Sequence, residues 1–331
     1  MSKPASIQTI KEVKNHPHAD KLDIITVLGW QCVTGKGNFR PGDKCVYLEI
    51  DSVCPDKPMF EFLRSRHFRI KTIKLRGELS QGLCLPLSDF PELLNKEIGD
   101  DVSEIIGVTH YVKEIPIQMQ GTIAGNFPEY IPKTDEERVQ NIPDILNELS
   151  GKSYYITEKA DGTSATYYFH NEHFGVCGRN YEYKFDEKQL YWKIAKKYDL
   201  ESRLKNRNVN IAIQGEICGP AIQKNRLNLE EIDFFLFNIF DINNKKYLGY
   251  HEQELLIKEL GLKSVKLLEL GENFSYSLEQ LIEKAEGKYN GSNNNREGIV
   301  VRSTENIYSN TNKGRMSFKV INNSYLLKDE E

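Results

Sequence analysis

From residue 1 to about 110 the chain is cut into short β-branched and aromatic runs, each closed within a few residues by a turn signal. The runs are Ile24-Ile25-Thr26-Val27-Leu28, Gln31-Cys32-Val33-Thr34 and Lys44-Cys45-Val46-Tyr47-Leu48-Glu49-Ile50, and the turns are Gly35-Lys36-Gly37 and Pro41-Gly42-Asp43. β-Branched and aromatic side chains suit a pleated, half-buried surface, and glycine and proline supply the dihedral angles that tight turns need. Strands this short and this closely spaced predict a small barrel. The chain has 331 residues, more than one such core can use, so a second domain is expected.

Residues 111 to 133 are irregular and contain Pro116, Gly121, Gly125, Pro128 and Pro132. This composition predicts a linker, placed at 116–133, between a barrel domain over 1–115 and a second domain over 134–331. Thr134-Asp135-Glu136-Glu137 reads as a helix start, with Thr134 as cap and Glu137 three residues on. From Ser153 onward strands and helices alternate. Ser153–Thr157, Ala165–Phe169, Ile211–Glu216, Phe234–Ile239, Ile299–Val301 and Met316–Ile321 read as strands. Lys188–Tyr198, His251–Leu260 and Leu278–Lys288 read as helices, and Asn290–Asn295 as a polar loop. The pattern is α+β, with mostly antiparallel strands.

Hydrophobic residues make up 39% and charged residues 28%, as in ordinary globular proteins. No apolar run is long enough to span a bilayer and the N-terminus lacks an apolar signal core, so no membrane association and an intracellular, cytoplasmic location are expected. Cys32, Cys45, Cys54, Cys84, Cys177 and Cys218 show no CxxC spacing and most sit in apolar runs, which predicts buried, reduced thiols rather than a zinc site. His170 and His173 lack a third ligand and read as surface residues. The net charge is −4, so nucleic-acid binding would need a local patch. One exists: Arg64, Arg66, Arg69, Lys71, Lys74 and Arg76 lie between Phe62 and Gly77 with no acid among them. Interleaved with Phe68, Ile70, Ile73 and Leu75, they suggest a strand with one buried and one basic face. Nucleic-acid contact and a plainly solvated sheet face both fit that pattern.

The chemistry centres on Glu158-Lys159-Ala160-Asp161-Gly162, between two expected strands. A tight connection there can aim the Lys159 amine into a pocket, and Gly162 permits close backbone approach. A lysine is nucleophilic only when neutral, so a low-polarity pocket or a nearby cation is expected to depress its pKa. Alone, this short motif also matches a surface turn. Further segments follow in order: Gly178-Arg179-Asn180, Gly215-Glu216-Ile217-Cys218-Gly219, Phe235 to Asp241, Arg296-Glu297-Gly298-Ile299-Val300-Val301 and Met316-Ser317-Phe318-Lys319-Val320. Together they put a cation, strand-end acids, an aromatic strand and a late lysine into one domain.

That ordered series resembles motifs I, Ia, III, IIIa, IV and V of the covalent nucleotidyltransferases, over about residues 134 to 325. The segment Asn15-His16-Pro17-His18-Ala19-Asp20-Lys21-Leu22 with the strands and turn that follow it resembles OB-fold modules of the tRNA-binding type, over roughly 5 to 100. Together they look most like ATP-dependent RNA ligases of the Naegleria type, which carry an N-terminal OB domain. The resemblance implies an OB-like barrel followed by an antiparallel-sheet nucleotidyltransferase domain of the ATP-grasp-like ligase type.

It also implies site roles. Lys159 would be the nucleophile that takes AMP from ATP, and Glu158 would meet the adenine edge. Gly162 would belong to the nucleotide site. Asp161, Glu216 and Glu297 would hold Mg²⁺ or Mn²⁺ through its waters. Arg179 would contact ribose or the RNA end, Phe237 would stack on adenine, and Lys319 would grip the α-phosphate. Each has a plainer reading: strand-end acids, a core aromatic, a surface ion pair. Motif V commonly has two lysines one residue apart. Here Ser317 holds the first place, and Lys313 or Arg315 would have to compensate.

The chain ends twelve residues after Lys319, which leaves no room for the trailing OB domain of capping enzymes and most DNA ligases. The expectation is therefore a monomeric RNA ligase that joins 3′-OH and 5′-phosphate ends of broken or nicked RNA, with the patch from Arg64 to Arg76 carrying RNA. A DNA ligase and a non-catalytic RNA-binding protein on a degenerate transferase fold are the alternatives, the latter favoured by the missing motif V lysine.

Overall fold

The structure is a computed structural model and describes residues 3–112 and 122–328. Pro116, Gly121 and the expected boundary at residue 115 lie outside the described residues. The described chain divides into two compact units. One holds 3–112, Val139–Pro143 and the residues from Leu326 on; the other holds 122–138 and Asp144–Tyr325.

The first unit is built on a five-stranded antiparallel sheet in the order Trp30–Gly35, Leu22–Val27, Ala5–Asn15, Lys44–Leu48, Leu83–Pro86. Strand Ala5–Asn15 serves both halves. Ala5–Thr9 pair with Lys44–Leu48, and after a register shift between Ile10 and Glu12 the strand pairs with Leu22–Val27. Such a shift bends a strand and increases its twist, which curls a sheet toward a barrel. Ile7, Ile25, Trp30, Tyr47, Phe60 and Leu93 fill the interior. Within this unit, Trp30 Nε1 donates to Asn141 Oδ1 at 2.6 Å, which anchors the returning segment Val139–Pro143. All six cysteines are free and buried.

The basic stretch is not the single strand expected from its alternation. Pro58–Arg66 is a 3₁₀ helix that turns left-handed at His67 and Phe68, and only Thr72–Leu75 is strand, paired with Glu78–Gln81. Pro58 presets the first φ, and Phe60 and Leu63, three apart, are the buried pair that a three-residue turn aligns. Arg64 is engaged by Asp56 and Glu61, and Arg69 by Asp51 at 2.6 Å with its guanidinium over Tyr111. Arg66, Lys74 and Arg76 are exposed.

Beside a small two-stranded sheet over Tyr308–Ser309 and Gly314–Arg315, the second unit is built on two main sheets. The larger runs Ile123–Asn126, Tyr181–Tyr183, His173–Cys177, Thr163–His170, Ile211–Cys218, Asp233–Asp241, Lys246–Tyr247, with Lys263–Ser264 added in parallel beside Phe235 and Leu236. The smaller runs Leu267–Gly271, Tyr154–Lys159, Gly298–Ser303, Ser317–Ile321, antiparallel throughout. Helices Leu190–Lys197, Leu200–Arg207 and Tyr250–Glu259 cover one face of the larger sheet through Trp192, Ile194, Leu204, Leu256 and Ile257. The helix expected over 278–288 ends at Ala285. His173 pairs with Glu182 and His170 lies against the Tyr130 ring.

No helix forms at Thr134. The side chains there have stronger partners elsewhere: Thr134 Oγ1 bonds Ser164 Oγ at 2.7 Å, and Glu136 reaches both Arg302 and Ser317. The segment runs extended beside strand Ser317–Ile321, with Arg138 bridged to Lys319 in parallel. The helix begins only after Pro143, over Ile145–Leu149. Among the described residues no helix is long and apolar enough to cross a membrane.

Candidate active site

The chain leaves the smaller sheet at Lys159 and enters the larger sheet at Thr163. The crossing is short because Gly162 lies against the neighbouring strand. A Cβ there would sit 2.2 Å from the Ile217 carbonyl oxygen and 2.9 Å from Glu216 Cγ. Gly162→Ala must therefore push the crossing away from the strand that carries Glu216. Misplacing reacting groups by an ångström costs about 100-fold. A loss of at least that size in AMP transfer to the protein is expected, with a lower melting temperature; turnover within about twofold of wild type would contradict it.

Strand register gathers the acids. Lys159 pairs with Gly298, which puts Glu297 beside the amine, and Ser164 pairs with Glu216 on the larger sheet. Lys159 Nζ meets Glu297 Oε1 at 2.7 Å. Asp161, two residues beyond Lys159, is buried, forms an ion pair with Arg226 Nε at 2.9 Å and accepts from the Tyr325 hydroxyl at 3.2 Å. Lys319 lies opposite Val300 on the last strand, and its N–H donates to the Glu137 carbonyl at 2.8 Å.

Electrostatics follow from this crowding. Burial is the largest influence on Glu216, and with the charges of Glu297 and Asp161 it outweighs the attraction of Lys159, so the carboxyl is pushed up to about 8. Asp161 is raised by burial and by Glu297, against Arg226 and Lys159. Lys319 is pushed down to about 8 by burial and then by Arg138 and Lys159. At Lys159 two influences oppose each other. Burial pulls it down, but Glu297, Glu216 and Asp161 together win and hold it above the ordinary lysine range. Neutral amine must come from a partner that takes these carboxylates away.

That partner fits a hard divalent cation. Asp161 and Glu216 are both raised by burial and by the charge of Glu297, and oxygen donors are what Mg²⁺ and Mn²⁺ prefer. Among the described residues no three acid, His or Cys side chains converge tightly enough to grip an ion directly.

An RNA ligase family model matches residues 152–321, and an OB-fold domain model matches residues 4–87. The structure is similar to that of a Naegleria gruberi RNA ligase with pyrophosphate, at 38% identity and a TM-score of 0.91, covering 100% of this chain and 99% of that one. The chain belongs to the RNA ligase family. It is similar, too, to a mutant of that Naegleria gruberi enzyme with ATP and Mn, at 37% identity, TM-score 0.91 and 100% coverage of both chains. A mutant with AMP and Mn matches at 37% identity, TM-score 0.91, covering 100% and 99%. A stretch of 101 residues is 33% identical to the phenylalanine–tRNA ligase beta subunit of Halalkalibacterium halodurans, covering 28% of this chain; the chain spans only 11% of the length of that curated relative.

Among the expected site residues of this RNA ligase, Lys159, Asp161, Gly162, Glu216, Glu297 and Lys319 are linked through short contacts or mutual electrostatics. Three others have different surroundings. Glu158, next to Lys159 in an extended strand, is buried with Arg296 at 4.0 Å, and burial raises its pKa. Arg179 is exposed and pairs with Asp135 at 2.7 Å. Phe237 is half-buried, with the Arg302 guanidinium 5.9 Å from its ring centre. Of the suggested substitutes for a second motif V lysine, Arg315 is held by Asn238 at 2.6 Å, Tyr155 at 3.2 Å and the Tyr247 ring, and Ser317 donates to Glu136 at 2.6 Å. Lys313 sits in a left-handed turn.

Sequence reasoning missed Glu136, Arg226, Tyr289, Arg302 and Tyr325. Arg302 left a signal: a charge directly after the apolar run Ile299-Val300-Val301 must find a buried partner. The others sit in loops or at a helix end, where spacing carries no information about contacts.

Proposed function

We propose that the chain is an ATP-dependent RNA ligase that seals 3′-OH and 5′-phosphate ends through a lysyl-AMP and then an RNA-adenylate. The observation that supports this most directly is the Lys159 amine bonded to Glu297 at 2.7 Å, with Asp161 and Glu216 among the charges acting on it, where the chain crosses between sheets. The neutral Lys159 Nζ attacks the α-phosphorus of ATP, pyrophosphate leaves, and the amine proton is lost. AMP then passes to an RNA 5′-phosphate oxygen, and a 3′-hydroxyl attacks that phosphate to release AMP.

Asp161, Glu216 and Glu297 would hold the divalent ion through water; when bound, it supplies positive charge that offsets the triphosphate and competes with Lys159 for the carboxylates. Lys319 supplies the second positive charge, on the α-phosphate. In this reading Gly162 lets the backbone close on the nucleotide, Glu158 meets the adenine edge, Phe237 stacks on adenine, and Arg179 releases Asp135 to reach ribose or the RNA end. The boundary between the OB and transferase domains falls within 116–133, and the protein acts as a cytoplasmic monomer on broken or nicked RNA.

Incubating the protein with α-labelled ATP and Mn²⁺ or Mg²⁺ tests this. Covalent label on the chain, followed by joining of a nicked RNA, is expected. A chain that binds RNA but never takes label is a binding protein on a transferase fold, and label from GTP alone would make it a capping-type enzyme.

Arg64 and Arg69 are already engaged by acids, so RNA binding by the patch should fall mainly to Arg66, Lys71, Lys74 and Arg76. Changing these four to alanine should weaken RNA binding about tenfold or more at 0.1 M salt and flatten its salt dependence, since each phosphate contact adds a slope near −0.7 on single strands. Labelling by ATP should not change. An unchanged dissociation constant would remove the patch from the RNA path.

A further inference from the structure

The polar loop after Tyr289, which the sequence presents only as a solvated connection, is tied into the site at two points. The Tyr289 side chain is buried, and its hydroxyl donates to the Lys159 carbonyl at 2.6 Å while accepting from the Glu297 N–H at 3.1 Å. A phenol oxygen can do both at once, and here it joins the backbones of the two residues whose side chains meet at 2.7 Å. Further along the loop, Ser292 Oγ at 2.8 Å and Asn294 Nδ2 at 3.0 Å both donate to the Arg226 carbonyl, and Arg226 is the cation paired with Asp161. The Arg296 side chain closes the loop by donating to the carbonyls of Ala285 and Glu286 at the end of the preceding helix. Strand pairing alone does not fix the Lys159–Glu297 contact. Lys159 ends its strand, and Glu297 precedes the first residue of the other. The Glu297 carbonyl accepts from the Asn322 N–H at 2.9 Å, and the Tyr289 hydroxyl adds the bonds that join the Lys159 and Glu297 backbones directly.

We infer that Tyr289 is a positioning residue for lysine adenylylation: its hydroxyl holds the Lys159 backbone against that of Glu297 and so aims the nucleophile. The inference rests on the adenylylation reading above. A hydroxyl that aims Lys159 matters most when Lys159 is the attacking atom. It matters little when a 3′-hydroxyl attacks RNA that already carries AMP, because the lysine forms no bond in that step. A merely structural tyrosine would slow both steps alike, together with a fall in stability.

Tyr289→Phe keeps the ring and removes the two hydrogen bonds. Wild type and variant are compared as full chains for melting temperature, for the single-turnover rate of label transfer from α-labelled ATP, and for sealing of a nicked RNA supplied already adenylylated. The expected result is a 10- to 100-fold slower labelling rate, little change in the ATP concentration for half-maximal rate, and sealing of the adenylylated nick within about threefold of wild type. Labelling at the wild-type rate overturns the proposal. So does an equal loss in both steps, whether or not the melting temperature falls. If wild type itself takes no label, the ligase reading fails first and this inference with it. Asn294→Ala serves as a companion variant, since it loosens the loop at Arg226 without touching the Tyr289 hydroxyl. A Tyr289→Phe defect that Asn294→Ala reproduces in full would assign the effect to the loop rather than to the hydroxyl, and would also overturn the proposal.

Discussion

Lys159→Ala should abolish covalent labelling by ATP, by at least about 1,000-fold, while leaving measurable sealing of RNA that already carries AMP. Without the amine the attacking atom of the first step is gone, and the buried Cys218 thiol, which feels the same three carboxylates, is held protonated by its burial. The same change removes the positive charge that draws Glu216 down, so that carboxyl should rise further above its value of about 8 and the acid cluster should hold more protons. Two measurements check this: label per chain by gel, and the rate of joining of a pre-adenylylated nick. Residual labelling above about 0.1 per cent of wild type would move the nucleophile to another residue. A variant equally dead on the pre-adenylylated nick would mean that Lys159 holds the site together as well as attacking. Lys159→Arg separates these, because it restores a cation to Glu297 but cannot lose its proton near neutral pH. It should seal the adenylylated nick better than the alanine variant and still take no label.

How much of this was legible depends on how local each signal is. The strand carrying Lys159, the one carrying Glu216 and the one following Glu297 could each be read from a few consecutive residues, because β-branched runs and turn residues speak for themselves. Motif order then put the acids and Lys319 in one site before any geometry was known. Two kinds of feature were hidden. The first was the secondary structure of segments whose side chains have distant partners. Thr134 to Glu137 has the letters of a capped helix, yet Glu136 is recruited by Arg302 and Ser317, far along the chain, and the backbone stays extended. In the same way Phe60 and Leu63 bury a three-residue turn inside a basic stretch that alternates like a strand. The second was charge. Sequence could name three carboxylates and an amine but not their spacing, and spacing decides that the Lys159 amine is held up rather than down. Tyr289 combines both difficulties: a loop residue whose partners are two backbone groups has no sequence signature at all.

Glu136→Gln should destabilise the transferase unit by about 3–5 kcal/mol, the usual cost of stripping one partner from a buried ion pair. Arg302 is 2% exposed and its Nη2 donates to Glu136 Oε1 at 2.8 Å. Among the described residues its Nε and Nη1 find no hydrogen-bond partner. The carboxylate is thus its principal counter-charge, and glutamine would leave a guanidinium buried beside the Phe237 ring with no anion. For a unit of this size the loss corresponds to a fall in melting temperature of roughly 10 °C. Burial alone would raise the Glu136 pKa, but Arg302, Ser317 and Arg315 overrule it and the carboxyl lies below its ordinary value. The pair therefore contributes fully above the unfolded glutamate pKa of about 4.3 and loses its contribution as pH falls through the lower, folded value. The gap in stability between wild type and Glu136→Gln should stay constant from pH 8 to pH 6 and close only below about pH 4. Adding Arg302→Leu to Glu136→Gln should recover part of the loss, since an uncharged pair leaves nothing buried without a partner. A gap that closes already at pH 6, or a double variant as unstable as the sum of the singles, would mean that the two residues do not act as a pair. The consequence for function runs through Ser317, which the same carboxylate holds at 2.6 Å, and through the Glu137 carbonyl that accepts from the Lys319 N–H at 2.8 Å. Loosening Glu136 frees the strand that presents Lys319 at its start, Ser317, and at Lys319 itself, so the destabilised variant should also lose α-phosphate contact at temperatures well below its melting point.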